Sequence, residues 1–277
     1  MADVAALLAI ALVGAAYEIG RARWRAVAGR PMVSVGATTR FYAGLVVVGV
    51  AVASPLDIAA DKSLPAHMAQ HVLLLTLAAP LLASGLPMPT LLFALPGRAR
   101  SRAIVHCRRF VRAHDRRYAA WVSGALILQA AVMWGWHVPV AYDAAVRNAA
   151  LHACEHLSFL LVATLSWWSV ATGPRHLRGA GAIAALIGSV PGMLLGAAMV
   201  LAPNPWYPIY EAGGRAHALV EQQVAGVIMW GFGGMAVVIT GAALFAAWLA
   251  GPARDSPARI AALPTSLQPT ATMRRVS

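Results

Sequence analysis

Charge is scarce in this chain. Only 12% of its 277 residues are Asp, Glu, Lys or Arg, against roughly 25% in a soluble globular protein. Lysine is almost missing: Lys62 is the single one, and every other member of the 22 basic residues is arginine. Acids number ten, so the formal charge is +12. That excess does not point to nucleic acid, because the arginines cluster between apolar runs, as loops at a membrane face do. Cysteine is limited to Cys107 and Cys154. One sits in an arginine-rich stretch and the other in an apolar run, so neither a disulfide nor a soluble thiolate metal pair is expected. The first apolar run lacks a basic n-region and a cleavage site, so it reads as a retained span.

What is abundant is apolar sequence, 60% of the chain. Several runs approach or exceed the roughly 20 residues that cross a bilayer. Seven spans are expected, near 4–20, 41–54, 66–82, 119–136, 149–170, 180–201 and 219–249. The predicted fold is therefore all-α, a polytopic membrane helix bundle over residues 1–250, followed by a flexible cytoplasmic tail over 251–277. Pro80, Pro87 and Pro89 make the stretch up to Pro96 irregular, and Leu86–Leu95 is too short to cross. Residues 97–118 read as a loop, with His106 and His114 solvated among eight arginines. Pro191-Gly192 predicts a kink, and Gly231, Gly233 and Gly234 predict close helix packing.

Alternating the loops of seven spans puts nineteen arginines on one side and only Lys62, Arg147 and Arg215 on the other. By the positive-inside rule the N-terminus is outside and the C-terminus cytoplasmic.

Against this apolar background a polar seam stands out. His67-Met68-Ala69-Gln70-His71 opens the third span, Trp136-His137-Val138-Pro139 closes the fourth, and His152-Ala153-Cys154-Glu155-His156 opens the fifth. An ionisable group in such a place is a functional hypothesis by default. Histidines at i and i+4 share a helix face. Two such pairs and a fifth imidazole at one depth predict a metal site of His67, His71, His137, His152 and His156. Glu155 and Glu221 are further candidates, either as ligands or as carboxylates behind a ligand. Imidazole suits copper and zinc alike, while thioether favours Cu(I). Met68 and Met133 therefore tilt the expectation towards copper, with zinc as the alternative. Cys154 points away from both of its histidine neighbours. Haem is disfavoured, because the histidines lie too near one surface.

The same motifs resemble the CtaG-type membrane family, assembly factors for bacterial haem–copper cytochrome c oxidases. The likeness is carried by the three histidine segments together with Tyr207-Pro208-Ile209-Tyr210 and Glu221-Gln222-Gln223, over roughly residues 10–250. It implies a multi-pass protein of the bacterial inner membrane that is not an enzyme. It also implies oxidase subunits and a periplasmic copper donor as partners, and copper held for delivery or retention at a periplasmic-side cluster. Three rivals remain: a membrane zinc-dependent hydrolase with Glu155 or Glu221 as base, a copper or cation transporter, and a metal-free assembly scaffold.

Overall fold

A computed structural model describes residues 2–85 and 87–249. The tail expected from residue 251 lies outside the described residues. Among the described residues seven helices are long and apolar enough to span a membrane: Val4–Ala28, Val35–Ala60, Leu64–Ser84, Tyr118–Trp136, Ala149–Thr172, Arg178–Leu201 and Arg215–Ala246. The described chain is all-α, as the apolar runs predict. The first two spans run further than expected, so Arg21, Arg23 and Arg25 lie on a helix instead of in a loop. Glu18 there meets Arg21 at 2.6 Å and accepts from the Tyr42 hydroxyl at 2.7 Å.

The third span is the central one. Buried residues make up 56% of its most apolar stretch, against 11% in the first span. Its middle is a π-helical turn, Leu73–Ala78, for which Pro80 supplies the cause. A proline inside a helix has no N–H to give and clashes with the carbonyl four residues back. The Ala79 amide bonds to the Leu74 carbonyl. Pro80 has no donor, so the Leu75 carbonyl is left over. The Trp167 indole of the fifth span donates to it at 3.2 Å. Such a turn shifts every side chain on one side of it relative to those on the other, and π-turns concentrate at functional sites.

Three further α-helices pack around the spans among the described residues. Pro87–Ala94 packs against the first span, where a Cβ on Gly20 would collide with the Thr90 carbonyl. Gly97–Arg116 corrects the loop expected over 97–118: it is a 20-residue amphipathic helix. Its inward face holds Ile104, Cys107 and His114, and the arginines hid that period. His114 is therefore buried, not solvated, whereas His106 is exposed as expected. Pro139–Arg147 replaces the short loop expected after the fourth span.

The expected kink in the sixth span is a break at Ser189 between Arg178–Gly188 and Val190–Leu201. Of the glycines expected to allow close packing, Gly234 and Gly233 do so, a Cβ there coming 3.2 Å from Met193 of the sixth span and 3.4 Å from Val72 of the third, whereas one at Gly231 would meet open space. A tighter crossing of the last two spans lies at Gly196 and Gly226, where a Cβ on either would come within 2.8 Å of the other's carbonyl oxygen.

Candidate metal centre

The local sequence aims the histidines before any tertiary contact forms. Pro65 occupies the first turn of the third span, where its missing N–H costs nothing. The His67 amide then closes that turn on the Ser63 carbonyl at 3.1 Å. Asn148 caps the fifth span, its side chain accepting from the Ala150 and Leu151 amides. The His152 amide closes the turn on Asn148 at 2.9 Å. Each span start thus presents an i, i+4 histidine pair on one face. The ring centroids are 4.5 Å apart for His67 and His71, and 4.2 Å for His152 and His156.

The two faces meet. His67 lies 4.9 Å from His152 and 5.9 Å from His156, centroid to centroid, and His71 lies 5.5 Å from His156. His137, at the end of the fourth span, is 5.5 Å from His71. All five histidines expected from the sequence therefore stand in one contiguous group. By connectivity they share the bundle end opposite the arginine-rich helix. Glu155 is fully buried among them. Its two oxygens lie 3.6 Å from His67 Nε2 and 3.5 Å from His71 Nε2.

The electrostatics of this arrangement are unusual. His67 Nε2, both nitrogens of His71, Nε2 of His152 and of His156, and both Glu155 oxygens are buried with no hydrogen-bond partner. A buried polar group left unpaired costs about 1–3 kcal/mol, and more if charged. These atoms also converge. One donor atom each from His67, His152, Glu155 and His156 lies within 4.8 Å of the other three. A tetrahedral ion with bonds of about 2.0–2.1 Å needs donors about 3.4 Å apart. The His67–Glu155 separation is already close to that. A three-nitrogen, one-oxygen set suits a divalent metal ion, which would satisfy the orphaned atoms and neutralise the carboxylate.

The remaining candidates divide. Met68 is fully buried, and its sulfur faces His137 Nε2 at 3.3 Å. The Met133 carbonyl lies 2.7 Å from His137 Nδ1, while its thioether packs by Gly192 of the sixth span. Glu221 is half-buried and outside the converging group. Its neighbour Gln222 is the residue that turns inward, yet it staples the loop before the seventh span. It accepts from the Trp206 amide at 2.6 Å and donates to the Met199 carbonyl at 3.2 Å. Gln70 likewise faces a neighbouring helix, donating to Ala51 and Asp57. Cys154 is exposed, pointing away as its register predicts.

Three tyrosines roof the cluster; the sequence singled out Tyr207 and Tyr210 only within the family resemblance, and Tyr142 not at all. Tyr142 lies over His67 at 4.9 Å and against Tyr207 at 4.1 Å. Its hydroxyl is 3.1 Å from that of Tyr210, which donates to the Ala60 carbonyl. Tyr207 donates to the His137 carbonyl. Burial pushes all three phenols above their ordinary pKa, so they stay neutral donors. The readable signal was Pro139, which starts a helix and sets Tyr142 one turn in.

Fold and site together define a polytopic membrane protein with a metal-competent histidine–carboxylate cluster buried at one end. The chain belongs to the cytochrome c oxidase caa3 assembly factor family (Caa3_CtaG), which matches residues 15–251. It is accordingly an assembly factor and not an enzyme, multi-pass in the bacterial inner membrane. No curated protein and no solved structure matches it.

Proposed function

We propose that the chain holds copper for a cytochrome c oxidase at a periplasmic-side site built by His67, His152, Glu155 and His156, with His71 and His137 beside it. The observation that carries this reading is the set of orphaned nitrogen and oxygen atoms converging on one buried point. Family membership supplies the client: oxidase assembly requires copper, and a buried imidazole cluster suits that ion. The arginine bias supports a cytoplasmic face for Gly97–Arg116 and hence a periplasmic face for the cluster. Copper arrives from a periplasmic donor and leaves to an oxidase subunit docked over the tyrosine roof, by exchange of imidazole ligands. The converging donor set alone suits zinc equally, so metal identity is the decisive measurement.

Element analysis of gently purified protein is expected to find copper near one equivalent or above. Oxidase from cells carrying His67→Ala with His156→Ala is expected to be copper-deficient. Active, copper-replete oxidase in that strain would establish a metal-free scaffold instead. Sidedness is read in a background lacking Cys107 and Cys154. The exposed position of Lys62→Cys should react with an impermeant thiol reagent in spheroplasts, and that of Arg109→Cys should not. The reverse pattern would put the cluster on the cytoplasmic side.

A further inference from the structure

We infer that the histidine cluster is two sites, and that His137 and Met68 form a separate, sulfur-containing Cu(I) site beside the carboxylate centre. The inference rests on the copper reading above and adds a second ion of defined chemistry.

The argument starts from a tautomer. His137 Nδ1 lies 2.7 Å from the Met133 carbonyl oxygen, which can only accept. Nδ1 therefore carries the hydrogen, and the neutral ring has a bare lone pair at Nε2. That lone pair faces the Met68 sulfur at 3.3 Å. A thioether has no hydrogen to give, so two electron-pair donors face each other at that distance.

A soft monovalent ion would accept both lone pairs at once, since imidazole nitrogen and thioether sulfur are the donors Cu(I) accepts. Metal bonds of about 2.0 Å to imidazole and about 2.3 Å to sulfur add to about 4.3 Å. The observed 3.3 Å is shorter, so the ion sits off the nitrogen–sulfur line and has a side open to a third ligand. His71 is the candidate. Its ring is 5.5 Å from that of His137, and its Nδ1 has no partner.

The pairing also separates the two sites chemically. The carboxylate centre offers three nitrogens and a hard oxygen. The second offers one or two nitrogens and a sulfur. His71 stands between them, Nε2 towards Glu155 and its ring towards His137. An ion moving from one to the other would exchange ligands on a single shared histidine.

The test is anaerobic Cu(I) titration of the full-length protein against a competing chelator, with X-ray absorption at the copper edge. A Cys107→Ser, Cys154→Ser background leaves thioether as the only sulfur. The parent is expected to bind two Cu(I) ions and show copper–sulfur scattering. Met68→Leu, a volume-conserving change, should bind one ion fewer and lose that scattering. Its zinc binding at the carboxylate centre should persist, which shows the bundle intact. His152→Ala with Glu155→Gln should lose the other ion and keep the sulfur signal. Nitrogen and oxygen scattering alone in the parent, or an unchanged stoichiometry in Met68→Leu, would overturn the second site while the carboxylate centre stands. A parent that binds no metal would overturn both.

Discussion

Two buried histidine environments sit at opposite ends of the bundle, and their difference separates a packing histidine from a candidate ligand. His114, on the arginine-rich helix, is as buried as His71. Its Nδ1 lies 3.2 Å from the Asp115 carboxylate, its Nε2 lies 3.2 Å from the Ser169 carbonyl, and its ring packs on Trp168 and Tyr118. Both of its nitrogens face acceptors. His71 has neither nitrogen paired, and both sit among other histidines and a carboxylate. Burial is common to the two, so burial is not the signal. Convergence of unsatisfied donor atoms is.

The largest effect should come from treating the two ends alike. His67→Ala with His156→Ala removes two of four converging donors. Metal affinity should fall more than about a hundredfold, beyond the 10–100-fold typical of changes behind a ligand. His114→Ala should leave metal content intact and cost about 1–3 kcal/mol of stability, the range for losing a buried hydrogen-bonded group. Element analysis and thermal unfolding in detergent read both. Bound metal should also raise the unfolding temperature of the parent and not of the double variant. Equal metal loss in His114→Ala would erase the distinction. Binding should also weaken as pH falls, because ligand imidazoles and Glu155 must be deprotonated to bind. The ion and the protons compete, so protons should be released as metal is added at constant pH.

The next effect concerns the framework that holds the third and fifth spans in register. Trp167→Phe removes the donor to the Leu75 carbonyl and leaves that oxygen unpaired in the π-turn. A loss of about 1–3 kcal/mol is expected, with metal content little changed, because the histidine starts are set by Pro65 and Asn148. A smaller effect is expected at the roof. Tyr207→Phe loses one hydrogen bond, to the His137 carbonyl, and should cost about 1 kcal/mol. Its clearer signature is faster exchange of bound metal, measured by chelator competition. Unchanged exchange would mean the roof only packs.

What the sequence disclosed follows the same division. The histidine pairs were legible because helical periodicity is local: i and i+4 share a face wherever a helix forms. Their convergence was legible because connectivity puts the three segments at one bundle end. The inward face of Gly97–Arg116 obeys the same period, yet arginine density masked Ile104, Cys107 and His114. The roles of Gln222 and Tyr142 were not legible. Each depends on where a loop returns in space, and no local pattern encodes that. The π-turn lies between: Pro80 announces a disturbed helix, but which carbonyl is freed, and that Trp167 answers it, is a tertiary fact.

The smallest effect expected is at Cys154, and it bears most directly on how periodicity sorts this segment. Cys154 sits between His152 and His156, two residues from each. On a helix two residues is about 200° of rotation, so its thiol leaves the face that its neighbours occupy. The structure agrees: Cys154 is exposed, whereas Cys107, far from the cluster, is buried with its sulfur 3.2 Å from that of Met88. Cys154→Ser should therefore change stability within about 0.5 kcal/mol, the range for exposed positions. It should leave metal content, metal exchange and oxidase assembly as in the parent. If Cys154 were a ligand, the variant would lose metal and any copper–sulfur scattering would vanish with it. That result would also move the sulfur donor from Met68 to Cys154. The same spectrum of Cys154→Ser and of Met68→Leu, taken side by side, therefore assigns the sulfur to one residue or the other.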